Sequence, residues 1–233
     1  MGLCVQIENV SKQFASKQVL QNITLHIETG KIVGLLGNNG SGKTTICKML
    51  AGLSRPTEGS VSIDGIPVGY QTKSIVSFMP DKATFEKWMK VEDIVTFFQD
   101  FYRDFNSEKA KAMLTFMKLD KQEKIVDLSK GMMERLQLTL ALSRDAKLYV
   151  LDEPIGGVDP IAREKILDAI IEFYHEESTL LISTHLIKDI ERIFDEVIFV
   201  KDGSIAIHEN VEDIRFKRKV SVHDLFREVY GDC

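Results

Sequence analysis

The sequence has few cysteines, no long apolar run and no excess of basic residues. Its 233 residues include three cysteines, Cys4, Cys47 and Cys233, which are far apart and odd in number. We therefore expect neither a metal-binding cysteine cluster nor a disulfide framework, and a reducing, cytoplasmic setting fits best. No run approaches the roughly 18 apolar residues that span a bilayer, and no secretory leader is visible. The net charge of −5 argues against nucleic acid as the main partner.

The apolar pattern divides the chain into three parts. Strand patterns separated by glycine or polar turns occupy 5–10, 18–27, 31–36, 60–63 and 75–79. Between about 83 and 145, apolar residues recur at helical spacing, as in Val91, Ile94, Val95 and Phe98. Strands then return at 148–151, 179–183, 196–201 and 204–208, with helical patterns before the second and third of them. Strand alternating with helix predicts an α/β fold whose sheet is mostly parallel and covered on both faces.

These boundaries predict one domain, 1–233, with a core of 1–82 and 146–210. A helical subdomain, 83–145, is inserted into that core, and a short helical tail, 211–233, follows it. A basic run at 215–219 precedes the last helix. It could touch a membrane surface, but a solvated face is the expectation for such a charge run.

A glycine-rich loop follows the strand at 31–36 and precedes an apolar-periodic helix. It fits G-x-x-x-x-G-K-[ST] and consists of Gly37, Asn38, Asn39, Gly40, Ser41, Gly42, Lys43, Thr44 and Thr45. Strand, loop and helix in this order form a P-loop, whose backbone N–H groups turn inward around phosphates. The helix that follows presents its positive end to the anion. The chain is therefore predicted to bind a nucleoside triphosphate.

Two carboxylates, Asp152 and Glu153, end the apolar strand at 148–151. An acid at this place beside a P-loop is where the magnesium of a nucleotide is held, so we expect Asp152 to bind Mg²⁺ together with Thr44. Glu153 would then point at the γ-phosphate and polarise the attacking water, an effect worth about 10² to 10⁴ in rate. Acidic pairs are also common at loop starts, and the P-loop upstream is what favours the functional interpretation.

Residues 128–132, Leu-Ser-Lys-Gly-Met, allow two interpretations. Ser129 followed by Gly131 would usually mean only a well-capped helix start. The same geometry also binds anions. The residues alone leave both interpretations open.

In this order, the motifs resemble those of the ATP-binding subunit of ABC transporters, over about 5–208. The P-loop and 151–154 match the family's Walker A and Walker B motifs, and 128–132 stands in the place of its LSGGQ signature. Residues 157–160 are similar to the D-loop, and 183–185 to the switch histidine. Phe14 lies where the family has its adenine-stacking aromatic residue, and Val19 where a small apolar residue packs near the ribose.

The resemblance implies a P-loop NTPase core with an antiparallel N-terminal β portion. It also implies two such subunits that close head to tail around two Mg–ATP and drive a separate membrane-spanning permease from the cytoplasmic face. By analogy, Ser129 and Gly131 contact the γ-phosphate held by the other subunit's Lys43. Asp159 lies at the dimer seam, and His185 reaches the γ-phosphate and helps to hold Glu153 and the water.

Three residues depart from the family pattern. Lys130 and Met132 replace a glycine and the glutamine of the signature, and Asp81 stands where the family usually has glutamine. Asp81 is shorter but can still approach magnesium or its water. The resemblance therefore implies a working but altered site. These variants look most like small bacterial exporter ATPases for antibiotics or toxic peptides, with phenol-soluble modulin exporters as one match.

Two other classes compete with the transporter ATPase. A soluble ABC-type ATPase acting on the ribosome or DNA would usually show tandem cassettes or a long coiled coil, and no sustained heptads lie between 45 and 152. A P-loop kinase would leave 128–132, Asp159 and His185 without a role. The sequence leaves open import or export, the cargo, and whether two copies or two different chains pair.

Overall fold

The computed structural model describes residues 2–82, 85–175 and 177–231. The strands are β1 (Leu3–Phe14), β2 (Lys17–Glu28), β3 (Ile32–Leu36), β4 (Glu58–Ile63), β5 (Ile66–Pro67), β6 (Val76–Met79), β7 (Leu148–Asp152), β8 (Thr179–Thr184), β9 (Glu196–Lys201) and β10 (Ser204–Asn210). The helices are α1 (Lys43–Leu50), α2 (Val91–Phe101), α3 (Ser107–Phe116), α4 (Lys130–Leu142), α5 (Pro160–Phe173), α6 (Ile187–Ile190), α7 (Val211–Asp213) and α8 (Val222–Tyr230).

Two sheets form the core. An antiparallel sheet has the strand order β2-β1-β4-β5, and a six-stranded sheet has the order β10-β9-β3-β8-β7-β6. In the larger sheet every neighbouring pair is parallel except β9 and β10. Every residue of β7 and β8 is buried, as expected for strands covered on both faces. The predicted mixed α/β fold, with a mostly parallel sheet and an antiparallel N-terminal portion, is confirmed.

The strand register brings three loops to one edge of the larger sheet. Leu36, the last residue of β3, lies opposite Thr184 at the end of β8. Asp152, the last residue of β7, lies opposite Ser183. Because neighbouring parallel strands end at the same edge, the loops that follow β3, β7 and β8 meet there. Ligands of open α/β sheets bind at this edge.

The helices α2, α3 and α4 lie between β6 and β7 in the chain, where the apolar spacing predicted helices. Asn106 caps α3 by accepting a hydrogen bond of 3.0 Å from the backbone N–H of Lys109. The segment is fixed to the sheet by Arg144, whose buried guanidinium pairs with Asp104 at 2.8 Å and donates to the Val76 carbonyl at 2.7 Å. An arginine with so many partners stabilises this junction in spite of its burial.

The C-terminal tail packs on β9. The ring of Phe226 stacks on that of Tyr230 at 4.1 Å and meets Phe199 of β9 edge-on. In the basic run, Lys217 pairs with Asp213 at 2.8 Å and Arg218 pairs with Glu209, all at the surface. The solvated face of the basic run stays a prediction.

The structure also describes α6, two of the three cysteines and the length of the helices. The predicted helix at 187–193 is α-helical only as α6 and continues as a 3₁₀ turn, Glu191–Ile193. The side chain of Glu191 accepts a hydrogen bond from the backbone N–H of His223 in α8. Cys4 and Cys47 are free, and burial raises the pKa of both thiols, while Cys233 lies outside the described residues. Within 2–82, 85–175 and 177–231, no helix is long and apolar enough to cross a membrane.

Candidate nucleotide site

The P-loop encloses the side chain of its own lysine. The Lys43 side chain is only 6% exposed, and Nζ donates to the carbonyls of Gly37 at 2.7 Å and Asn38 at 3.3 Å. Two glycines are required sterically. A Cβ on Gly37 would lie 2.5 Å from the Val200 carbonyl oxygen, and one on Gly42 would lie 2.6 Å from a methyl group of Leu20. The loop therefore places a cation and the start of α1 in one concave turn.

Ser41 supports an anionic occupant of this turn. Its backbone carbonyl accepts a hydrogen bond of 3.2 Å from Gly203 in the β9–β10 turn, which fixes the loop to the sheet. Its hydroxyl is buried and has no hydrogen-bond partner among the described residues. A buried hydroxyl without a partner is unfavourable unless a ligand or water satisfies it. A phosphate oxygen in the loop would do so, and the residues present therefore fit ATP.

Asp152 is almost completely buried and accepts hydrogen bonds from two hydroxyl groups. Thr44 Oγ1 donates to its Oδ1 at 3.3 Å, and Ser183 Oγ donates to the same oxygen. Burial raises the pKa of Asp152 in spite of these two bonds. A carboxylate and a hydroxyl are hard oxygen donors of the kind that Mg²⁺ prefers, so this pair fits the metal that accompanies a nucleotide.

Glu153 lies between Lys43 and His185. Its backbone is left-handed, with φ of 54°, and its N–H donates to the Ser183 carbonyl at 2.9 Å. One carboxylate oxygen accepts from His185 Nδ1 at 3.0 Å, and the other lies 3.7 Å from Lys43 Nζ. The β7 and β8 ends thus hold a carboxylate beside the P-loop cation. We call the set Lys43, Thr44, Asp152, Glu153 and His185 the P-loop cluster.

A second group of predicted residues lies at the start of α4 and in the loop before α5. Ser129 caps α4 by accepting a hydrogen bond of 3.2 Å from the N–H of Met132. Asp159 caps α5 by accepting one of 3.1 Å from Ala162. Both capping residues are exposed.

The two helix starts pack against each other. A Cβ on Gly131 would lie 3.5 Å from Val158, and the amino group of Lys130 lies directly over Gly157. Met132 is half-buried. We call the set Ser129, Lys130, Gly131, Gly157 and Asp159 the signature cluster.

The remaining predicted residues lie at the margin. Phe14 is 50% exposed, and the Lys12 ammonium lies 4.6 Å from its ring centroid. Val19 is half-buried, and its carbonyl oxygen would lie 3.3 Å from a Cβ on Gly42, so β2 borders the P-loop. Asp81 is exposed two residues after the end of β6. Asn38, Asn39 and Gly40 are exposed at the tip of the loop, and Thr45 lies in the first turn of α1.

Sequence reasoning missed the hydrogen bond from Ser183 to Asp152 and the position of Glu134. Ser183 was recognised only as part of the switch motif, since its pairing with Asp152 depends on β8 lying next to β7. Glu134 is 5% exposed on the inner face of α4, and burial raises its pKa to about 7. No signal in the sequence pointed to Glu134, because a charged residue in a helical segment is expected at the surface.

A P-loop at the edge of a mostly parallel sheet, with a hydroxyl–carboxylate pair and a second carboxylate beside it, defines a P-loop nucleotide hydrolase. Comparison with known proteins agrees. Residues 20–156 match the family model described as ABC transporter. An uncharacterised ABC transporter ATP-binding protein of Methanocaldococcus jannaschii is 33% identical over 215 residues, which are 90% of this chain and 79% of that protein.

Other relatives carry more specific names. A bacitracin transport ATP-binding protein of Enterococcus faecalis is 30% identical over 94% of this chain and 73% of its own length. A Nod factor export ATP-binding protein of Burkholderia lata is 34% identical over 85% of this chain and 68% of its own length.

Solved structures share the fold. One, of an ATP-binding subunit of an ABC transporter, has a TM-score of 0.86 and 24% identity over 97% of this chain and 99% of that one. Another, a dimeric ATP-binding cassette bound to ADP and phosphate after hydrolysis, has a TM-score of 0.78 and 24% identity over 88% and 98%. The chain belongs to the ABC transporter family and is one of its ATP-binding proteins. It is an ATPase whose hydrolysis is coupled to transport.

Proposed function

We propose that the chain binds and hydrolyses Mg–ATP at a head-to-tail dimer interface and thereby drives a separate membrane-spanning permease. The observation that carries this proposal is the division of the predicted site into two clusters. The P-loop cluster is connected through hydrogen bonds and one close ion pair, while Ser129 and Asp159 present exposed helix starts. Helix starts offer unpaired N–H groups to an anion. A second subunit brings such groups to the phosphates of the first.

Each side chain of the P-loop cluster has a role in this proposal. Lys43 would bind the β- and γ-phosphates, and the buried Ser41 hydroxyl would donate to a phosphate oxygen. Thr44 and Asp152 would hold Mg²⁺, with Asp81 near it, and that ion would neutralise phosphate charge when bound. Glu153 Oε1 would accept the proton of the attacking water. His185 donates to Oε2 at 3.0 Å and so orients the carboxylate toward the γ-phosphate.

The signature cluster would complete the partner's site. Ser129 and Gly131 would contact the γ-phosphate bound by the partner's P-loop, with Lys130 and Met132 beside them, and Asp159 would lie at the seam. Phe14 would stack on adenine and Val19 would border the ribose. Closure of the core, 1–82 and 146–210, and of the inserted helical subdomain, 83–145, would be transmitted to the permease, and the tail, 211–233, would stay on the core.

We further propose that the transporter exports its cargo and that the cargo is a peptide or an antibiotic-like compound. Two relatives are named for bacitracin transport and Nod factor export, which supports export of a peptide or antibiotic-like compound. We propose that the chain works at the cytoplasmic face of the membrane, where it is held by the permease. Transport is measured as ATP-dependent uptake of a labelled peptide into inverted vesicles that contain the chain and its permease.

The central experiment is the Glu153→Gln variant. The variant keeps the size of the side chain but cannot accept a proton, so we expect steady-state phosphate release to fall by about 10²- to 10⁴-fold while ATP binding is retained. We also expect the variant to form an ATP-dependent dimer in analytical ultracentrifugation. Retained turnover would overturn the role of Glu153.

The permease is tested separately. Affinity purification of the tagged chain from detergent-solubilised native membranes, with mass spectrometry, should recover a stoichiometric multi-spanning protein. A second, different ATP-binding chain in the same complex would show heteromeric pairing. Recovery from the soluble fraction alone would contradict the proposed partnership with a permease. It would favour an ABC-type ATPase that acts on ribosomes or DNA.

A further inference from the structure

Lys130 lies between the two helix starts of the signature cluster. It is the first residue of α4, and its side chain extends across the loop that precedes α5. Its amino nitrogen would be 1.9 Å from a Cβ built on Gly157, and its Cε would be 2.9 Å away. A side chain at position 157 would displace the end of the lysine side chain, which is 68% exposed, from this space. The loop before α5 therefore leaves a gap that the lysine fills.

Gly157 is suited to this gap in two ways. Its φ is +85°, a left-handed conformation that L side chains rarely adopt. The neighbouring Val158 is buried, and its carbonyl accepts a hydrogen bond of 3.0 Å from Arg163 of α5. The loop is thus fixed by Arg163 on its α5 side and covered by Lys130 on its α4 side.

Glu134 supplies the counter-charge to the lysine. It lies one helical turn after Lys130, and its Oε1 is 3.9 Å from the lysine ammonium. The Glu134 side chain is 7% exposed, and its Oε2 has no hydrogen-bond partner among the described residues. A buried carboxylate of this kind is costly unless a cation compensates it. In its ionised form, the carboxylate therefore favours keeping the Lys130 ammonium over Gly157.

We propose that Lys130 is a positioning residue that holds the start of α4 against the 157–159 loop of the same subunit. Its side chain fills the space that Gly157 leaves open, and Glu134 is its counter-ion. The consequence for ATP rests on the proposed head-to-tail dimer. In that dimer both segments face the ATP of the partner, so a lysine that fixes one segment to the other pre-organises the surface that closes. Pre-organisation reduces the ordering cost of association.

The test uses the ATP concentration at half-maximal dimerisation, measured by analytical ultracentrifugation in the Glu153→Gln background. Lys130→Met keeps the length of the side chain but removes its charge, and Gly157→Ala fills the gap. We expect each change to raise the ATP midpoint about 5- to 10-fold, which corresponds to about 1 kcal/mol. Because both remove the same contact, the double variant should be no more than about twofold worse than the stronger single variant.

Two matched controls separate this contact from general effects. Lys111→Met removes an exposed ion pair with Glu108 on α3. Gly65→Ala introduces a side chain at φ of +73° where a Cβ meets open space. Both should leave the ATP midpoint within about twofold of the background, since surface pairs contribute little. ATP binding to the single subunit should not change in any of the four variants.

The outcomes distinguish the inference from the function on which it rests. An unchanged ATP midpoint in Lys130→Met, or strictly multiplicative effects in the double variant, would overturn the role of Lys130 while the ATP-dependent dimer stands. Failure of the Glu153→Gln background itself to dimerise with ATP would overturn the proposed dimer, and with it the positioning role.

Discussion

The P-loop cluster and the signature cluster are built in opposite ways. The P-loop cluster lies where three neighbouring strands end and α1 begins, and its central carboxylate, Asp152, is 1% exposed and accepts two hydrogen bonds. The signature cluster lies at two helix starts, where Ser129 and Asp159 are exposed. Parallel strands fix their ends through the sheet, whereas a helix start is fixed only by its cap and its packing. One cluster is therefore assembled within the subunit, and the other is displayed at its surface.

The buried carboxylates of Asp152 and Glu134 differ in how many of their oxygens are hydrogen-bonded. Asp152 shares its oxygen with the hydroxyls of Thr44 and Ser183, while Glu134 below the signature cluster has one oxygen without a partner among the described residues. A buried group with satisfied hydrogen bonds specifies one structure, and an unsatisfied one leaves the structure sensitive to charge.

The largest effect on ATP binding should come from Lys43→Ala. This change removes the cation that the loop encloses and leaves a buried space among carbonyl groups, so we expect ATP affinity to fall by at least about 100-fold, equivalent to about 3 kcal/mol. Isothermal titration calorimetry measures it. Lys48→Ala, at an exposed position on the same helix, is the control and should bind ATP normally. Equal affinity in the two variants would contradict the role of the P-loop cluster.

Glu134→Gln should change stability in a pH-dependent way. Burial raises the pKa of Glu134 from 4.5 to about 7, so the folded state holds a proton that the unfolded state releases in this range. The stability from that proton is complete below pH 4.5 and is lost as pH rises through 7. Between pH 5 and 8, wild type should lose about 2 kcal/mol of unfolding free energy relative to the variant.

Urea denaturation at several pH values measures this difference. Glu108→Gln on α3 is the control, because a hydrogen bond from Lys111 lowers the pKa of Glu108 below its ordinary value of 4.5. Its titration therefore lies outside the range from pH 5 to 8. Parallel pH profiles for wild type and Glu134→Gln would mean that the carboxylate is solvated.

The difference between the clusters also explains what the sequence could predict. The P-loop and the acidic strand end are short contiguous motifs, so Lys43, Thr44, Asp152 and Glu153 could be assigned from the residues. The fold class followed from strand–helix alternation. The hydrogen bond from Ser183 to Asp152 required the strand order β3-β8-β7, which local patterns do not contain. Lys130 over Gly157 joins two loops that are distant in sequence and required the packing of α4 on α5.

A smaller effect is expected for Ser129→Ala. Loss of the N-cap should cost about 1 kcal/mol of unfolding free energy. Ser221→Ala is a matched control, because Ser221 caps α8 with a hydrogen bond of 3.0 Å from Asp224. Both variants should lose similar stability, but only Ser129→Ala should also lower ATP turnover, by about 10-fold, equivalent to about 1.4 kcal/mol. Equal turnover in the two variants would limit Ser129 to capping.

The smallest effect on folding is expected for Asp159→Asn. Asparagine caps helices as well as aspartate does, so the hydrogen bond to Ala162 should persist, and the unfolding free energy should change by less than about 0.5 kcal/mol. The lost charge lies at the proposed seam, where we expect the ATP midpoint for dimerisation to shift about threefold while ATP binding to one subunit stays unchanged. Parallel ultracentrifugation and calorimetry separate the two effects. A change in single-subunit ATP affinity would show that Asp159 acts within its own P-loop cluster, and the division into an internal and a displayed half would then be wrong.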